Sequence, residues 1–336
     1  MRQRRLILVT GAPRTATTPV GNVLSRCKGA VSLYEPLGPT GLSWIREPFP
    51  MVGPGLGIEP DELVRLITQL STMRLGRLNP QTRPDAAPAL WSRLLGSRTL
   101  HSARMARLQP WARTVIWKDP HAIMMVPDLI GSDVDVVVTA RTPWAHAASY
   151  KRLGWRSKAA EIYPRWSEKF GPCDICEPFL GQAGDPVVSA ALLWRMSYLP
   201  LIRTGALARV HLITSEALER DERATYFALL DELGLTATAG VERMLAKPRR
   251  DAGPSGSSKK THDWTRSMAS LNRYWQDVLS EDELGNIEAI TGDLAPLVLG
   301  IAEAPEQGTT APSPPPPPSF ARNSRAGSFP DRDKPV

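Results

Sequence analysis

Gly11 to Thr18 reads G-A-P-R-T-A-T-T, between the short apolar run Leu6 to Val9 and a segment of helical character beginning at Thr17. A tight loop joining a buried strand to a helix N-terminus lets backbone N–H groups and the positive end of the helix cradle a phosphate-like anion. The nucleotide-hydrolase loop has the form G-x-x-x-x-G-K-[ST]. Gly11 and Thr18 fit its two ends, Ala16 takes the place of the second glycine, and Thr17 that of the lysine. The cation moves inside the loop, to Arg14. A kinase of this type relies on the lysine and on magnesium to neutralise a γ-phosphate, so the exchange points to a less highly charged group. A plain Gly-Pro turn is the structural alternative.

A second candidate lies further on. Val134 to Thr139 holds four valines in six residues and reads as a buried strand running into Arg141, with Ser149 in the helix that follows. An arginine at the C-terminal end of a parallel strand points into the crevice where α/β sheets bind ligands. Its planar fork donates two hydrogen bonds to a phosphate. Ser149, two turns along the helix, would offer a hydroxyl to the same anion. Taken alone, an arginine and a helical serine are more often a solvated pair. Cys173-Asp174-Ile175-Cys176 is a C-x-x-C without the second pair or nearby histidines that a zinc site needs, and the expected reading is two incidental cysteines.

The elements that must position these residues alternate. Strands are expected at Leu6 to Thr10, Val115 to Trp117, Val134 to Thr139 and Val210 to Thr214. Helices are expected from Thr17, from Pro60 with an acidic first turn, over Trp144 to Leu153, over Val187 to Ile202 as an amphipathic helix, over Asp221 to Leu233 and over Glu281 to Ile290. Residues 36–57 read as an irregular loop and 154–184 as a loop-rich insertion. The alternation implies an α/β fold of three layers with a central parallel sheet. One domain is expected over residues 1–304. Residues 305–336, with the unbroken run Pro314 to Pro318, read as a disordered or polyproline-like tail.

The 336 residues are 42% hydrophobic, enough for a sizeable core, and carry a net charge of +7. That balance favours anionic partners. The basic residues are dispersed and no nucleic-acid motif is present, so nucleic acid is not expected as a partner. Three cysteines, an odd and low number, suit a reducing cytoplasm. The apolar run after the basic N-terminus is too short for a secretory leader, and no stretch reads as a transmembrane helix. A homodimer is compatible with the composition.

Three segments together resemble the family of sulfotransferases that use 3′-phosphoadenosine-5′-phosphosulfate (PAPS). V-T-G-A-P-R-T-A-T-T-P-V-G-N-V-L is similar to the family's 5′-phosphosulfate loop, V-I-W-K-D-P-H-A to a central segment, and V-V-V-T-A-R-T-P-W-A-H-A-A-S-Y-K-R-L to its 3′-phosphate element. Y-E-P-L at Tyr34 to Leu37 is similar to carbohydrate-type and bacterial members. The resemblance implies the P-loop nucleotide-kinase-like sulfotransferase fold and PAPS as co-substrate. It implies an acceptor hydroxyl on a glycan, glycolipid or secondary metabolite, and no metal requirement. Arg14, Thr15, Ala16, Thr17 and Thr18 would hold the 5′-phosphosulfate, where many members carry Lys-Ser-Gly-Thr-Thr. Arg141 and Ser149 would hold the 3′-phosphate, with Lys259 in a late closing loop. Such a transfer needs a base for the acceptor proton and cations for the leaving oxygen. Arg14 and Lys118 are the candidate cations. Glu35 and His121 are the candidate bases, Glu35 preferred. A phosphotransferase of the same fold and a catalytically silent nucleotide-binding protein remain as alternatives.

Overall fold

A computed structural model describes residues 3–80, 97–247 and 267–300 of the chain. All lie in the first of two units, Met1–Ala302. Lys259, its neighbours 257–260, Trp264 and the proline-rich tail lie outside the described residues.

The chain opens with β1 (Arg5–Thr10), α1 (Thr17–Leu24) and β2 (Ala30–Tyr34). A two-residue parallel pair, β3 (Met51–Val52) and β4 (Gly57–Ile58), lies within the region read as loop. Then come α2 (Pro60–Thr72), α3 (Arg98–Arg107), β5 (Thr114–Lys118), two short helical turns over Pro120–Met125 and Val126–Leu129, and β6 (Val134–Ala140). After these follow α4 (Pro143–Leu153), α5 (Ala159–Phe170), α6 (Pro186–Arg203), β7 (His211–Thr214), α7 (Glu222–Glu232) and α8 (Glu281–Thr291), with shorter helices between.

Five strands form one parallel sheet in the order β2-β5-β1-β6-β7. The sequence shows four of them plainly. The fifth, β2, is an edge strand. The faces alternate along each strand. Leu6, Leu8, Val115, Trp117, Val136 and Val138 pack on one side with Ala147 and Ala148 of α4 and most of α6. Ile7, Val9, Ile116 and Val137 pack on the other with Val20, Val23 and Leu24 of α1 and Tyr226, Leu229 and Leu230 of α7. Burial on both faces is why these strands read as unbroken apolar runs. The result is the three-layer α/β fold with a central parallel sheet. β1 is the centre of the sheet, with β5 and β2 on one side and β6 and β7 on the other. The loop after β1 therefore opens at the switch point, where such sheets bind ligands.

Two readings are corrected. Residues 154–184 are not loop-rich: they contain α5, whose Ile162, Tyr163 and Trp166 are buried. Pro164, which reads as a breaker, sits inside that helix. Burying a large aromatic and its neighbours offsets the roughly 3 kcal/mol a mid-helix proline costs. Helix α6 is not amphipathic: 15 of its 18 residues are buried. It is a helix apolar nearly all round because it lies within the core. Asp185 caps it, accepting from the N–H groups of Val187 at 2.8 Å and Val188 at 2.9 Å. Among the described residues no helix is long and apolar enough to cross a membrane.

Candidate active site

The loop after β1 is shaped by close packing. A Cβ on Gly11 would lie 2.3 Å from the carbonyl oxygen of Thr139, so only glycine lets β6 approach here. Arg14 and Ala16 both take left-handed backbone, with φ of 76° and 71°. Alternating left-handed residues turn successive N–H groups toward one concavity. Ala16 stands at the N-terminus of α1 with a conformation that glycine adopts freely. Ala16→Gly is expected to stabilise the fold by about 0.5 kcal/mol. That is the left-handed strain of about 1–2 kcal/mol less the added freedom of the unfolded chain. Urea unfolding of both proteins checks this.

Thr15 is turned inward. Its hydroxyl donates to the Ala12 carbonyl at 2.6 Å and lies 3.0 Å from Thr139 Oγ1. It anchors the loop, so its side chain is not available to a ligand. Thr17 is buried and Thr18 half-buried in the first turn of α1. Arg14 Nε donates to Ser149 Oγ at 3.0 Å, so the loop and the second motif are brought together. Arg14 also lies 5.8 Å from the Trp155 ring centroid.

Arg141 is buried, 6% exposed, at the end of β6. Among the described residues its Nε and Nη2 have no hydrogen-bond partner. Tyr274 covers it, with its ring centroid 5.8 Å from the guanidinium carbon. Burial pushes both Arg14 and Arg141 below the ordinary arginine range; Tyr274 opposes the shift in both, while Arg152 adds to it in both and Arg141 adds to it in Arg14. Arginine nevertheless stays charged. A desolvated guanidinium with two unmet donors, Arg141, beside the second buried cation Arg14, is an arrangement suited to an anion of high charge.

Tyr198 of α6 ties the loop to β6. It accepts from the Ala12 N–H at 3.2 Å and donates to the Thr139 carbonyl at 2.7 Å. One turn back, Trp194 Nε1 donates to the Arg141 carbonyl at 2.9 Å. His146, on α4, is fully buried beside this cluster. Burial, followed by the charges of Arg141 and Arg14, holds its imidazole down at about 3. It is neutral.

A second cluster forms at the ends of β2 and β5. Register pairs Lys118 with both Val9 and Tyr34, so it lies beside the anion loop. Its Nζ sits 2.5 Å from Glu35 Oε1 and 4.4 Å from the Tyr34 ring centroid. Asp119 is fully buried. Its Oδ2 accepts from the Leu37 N–H at 2.7 Å, and its Oδ1 accepts from the His121 N–H at 3.0 Å and meets His121 Nδ1 at 3.1 Å. A carboxylate on Nδ1 fixes the ring and leaves Nε2 as the outward nitrogen. Burial opposes charging of His121, but the hydrogen bond and charge of Asp119, with Glu35 behind it, raise its pKa overall. A Cβ on Gly38 would meet Glu35 Cβ and His121 Cε1, each at 3.3 Å. The two candidate bases thus flank one point.

The structure brings together Arg14, Ser149 and Arg141 on one side of the β1 end, and Glu35, Lys118 and His121 on the other. Asp119, His146, Tyr198 and Tyr274 belong to the same region and were not singled out in the sequence. For Asp119 a local signal exists: an Asp directly before a proline at a strand end is a helix-capping pattern.

The fold is a parallel α/β sheet with an anion-type loop at its switch point. No protein-family model matches the chain, and no curated protein matches it. Among solved structures the chain is similar to a sulfotransferase domain from the curacin biosynthetic pathway, at 14% identity over 86% of this chain and 97% of that one, TM-score 0.41. It is similar to a sulfotransferase domain from the Synechococcus olefin synthase, at 18% identity over 86% of this chain and 95% of that one, TM-score 0.41. A sulfotransferase from Mycobacterium tuberculosis is similar at 13% identity over 82% of this chain and 77% of that one, TM-score 0.34.

Proposed function

We propose that this protein transfers a sulfuryl group from PAPS to the hydroxyl of a small-molecule or glycan acceptor. The observation that carries the reading is the buried Arg141, whose Nε and Nη2 have no hydrogen-bond partner among the described residues, placed beside a strand-to-helix anion loop that lacks the kinase lysine. The donor carries anionic groups at two ends, and this molecule offers two cationic positions joined by the Arg14–Ser149 contact.

In this reading the loop amides, Arg14, Thr17 and Thr18 hold the 5′-phosphosulfate. Arg141 and Ser149 hold the 3′-phosphate. Lys118, buried beside the loop, turns from Glu35 toward the leaving oxygen and offsets its charge. Glu35, released from that ion pair, takes the proton of the acceptor hydroxyl. His121, oriented by Asp119, directs its outward nitrogen toward the acceptor.

The test is calorimetric titration with 3′-phosphoadenosine-5′-phosphate, beside ATP with magnesium. The bisphosphate should bind in the micromolar range and ATP weakly. Arg141→Ala removes charged hydrogen bonds worth about 1.5–3 kcal/mol, so bisphosphate affinity should drop about ten- to hundred-fold. Tighter binding of ATP, unchanged by Arg141→Ala, would overturn the donor assignment in favour of a phosphotransferase.

A further inference from the structure

The cysteine pair that reads as incidental in the sequence is built into a charged network. Cys173 and Cys176 lie in the turn between α5 and α6. The N–H of Cys176 donates to the Cys173 carbonyl at 2.8 Å, and that of Glu177 to the same carbonyl at 3.1 Å. Such a turn brings side chains three residues apart onto one side. Both residues face inward, 2% and 0% exposed. The turn itself is at the surface, with Pro172, Asp174, Glu177 and Pro178 exposed. Both cysteines are free thiols, and each bears on the other's protonation.

Cys173 Sγ accepts from Arg195 Nε at 3.3 Å. Arg195 is itself 4% exposed. Its other nitrogens are held by the Ile290 carbonyl at 2.9 Å and by Asp293 at 2.5 and 3.0 Å. Around the pair, Tyr163 accepts from the Cys173 N–H and donates to Glu177, and Arg203 donates to the carbonyls of Gly171 and Pro172. The neighbouring Cys176 thiol, backed by Arg195 and opposed by burial, holds Cys173 below the ordinary thiol range. Cys176 is held above it by its interaction with Cys173 and by burial. Among the described residues no His, Cys, Asp or Glu completes a metal-ligand set with them.

A thiolate beside a cation, with a protonated thiol in reach, is the arrangement that reacts with peroxides and then resolves itself. We propose that Cys173 and Cys176 form a redox-active dithiol that hydrogen peroxide closes to a disulfide, with Arg195 as the positioning residue for the attacking thiolate. Cys173 sulfur attacks one peroxide oxygen. The O–O bond breaks, leaving a sulfenic acid on Cys173 and hydroxide. Cys176 sulfur then attacks the Cys173 sulfur, the S–O bond breaks, and the Cys176 proton leaves with that oxygen as water. Two thiol sulfurs are oxidised and one peroxide is reduced, to one water and one hydroxide. The closed bond removes the acceptor of Arg195 Nε, in the helix whose Trp194 and Tyr198 hold Arg141 and the loop.

The experiment treats the native full-length protein with hydrogen peroxide, alkylates the remaining thiols and reads the peptides by mass spectrometry. Free thiols should fall from three to one. The peptide holding Cys173 and Cys176 should lose two hydrogens, Cys27 should remain alkylatable, and dithiothreitol should restore the pair. From pH 8 to pH 6 the rate should fall only a few-fold, whereas a thiol of pKa about 8.5 would slow about 80-fold. In Cys176→Ser, Cys173 should stop at a sulfenic acid that dimedone captures. Three surviving thiols, Cys27 reacting as fast as the pair, or a rate that follows an ordinary thiol would each overturn the proposal. None of these readouts depends on the sulfuryl-transfer reading.

Discussion

Glu35→Gln is expected to lower the turnover number by about two to four orders of magnitude, the usual contribution of a positioned proton acceptor, and to leave affinity for 3′-phosphoadenosine-5′-phosphate within a few-fold. The amide keeps the size of the side chain and still accepts a hydrogen bond from Lys118, so the local packing survives. What it loses is the ability to take a proton. His121→Asn keeps a donor toward Asp119 but removes the outward ring nitrogen, and its loss should be smaller. Single-turnover rates with saturating donor separate chemistry from binding. If His121→Asn costs as much as or more than Glu35→Gln, the roles are exchanged, and the Asp119–His121 pair becomes the proton acceptor. The comparison is informative because both side chains flank Gly38.

The second large effect concerns acid. His146 has its folded-state pKa at about 3 against an ordinary 6.5, because it is buried beside Arg141 and Arg14. A depressed histidine binds fewer protons folded than unfolded between those two values. Stability therefore falls as pH drops from 6.5 toward 3, and the full shift is worth on the order of 5 kcal/mol. His121 works in the opposite sense: its raised pKa adds stability below 6.5 that fades as pH rises through the folded value. Asp293, held low by its hydrogen bond to Arg195, loses its contribution only in the carboxylate range. Cys173, also held low, loses its contribution over the same range, so it is the difference between wild type and His146→Phe in urea unfolding from pH 6.5 to 4.5 that isolates His146. The wild-type protein should lose stability steadily across that window and His146→Phe should lose distinctly less. Parallel loss in both proteins would show that the imidazole is not the acid-labile group.

How far the sequence discloses this site depends on whether a pattern is local. The G-A-P-R-T-A-T-T loop is contiguous and flanked by its own strand and helix, so its place is legible at once. Arg141 and Ser149 are legible for the same reason, since a valine-rich strand and the helix after it fix their spacing. Glu35 and Lys118 are each visible as charged residues at strand ends. Their ion pair joins positions 83 residues apart and exists because β2 and β5 are neighbours, with Tyr34 opposite Lys118. No spacing rule in the chain supplies that adjacency. Tyr198 and His146 are hidden more deeply: a tyrosine in an apolar helix and a histidine among alanines look like packing until the helix is seen lying against the loop. The hidden helix α5 has a physical cause as well. Pro164 speaks against a helix locally, and only the burial of Trp166 and its neighbours against α6 decides for it.

One side chain has a wider consequence. Because Tyr198 bonds both Ala12 of the loop and Thr139 of β6, and Trp194 bonds Arg141 two residues beyond, a single helix fixes the separation between the loop and the arginine. In the proposed reading, α6 is a rigid ruler laid across the nucleotide. A ligand is then measured by the distance between its charged ends, and one with a charge at only one end spans half the scale.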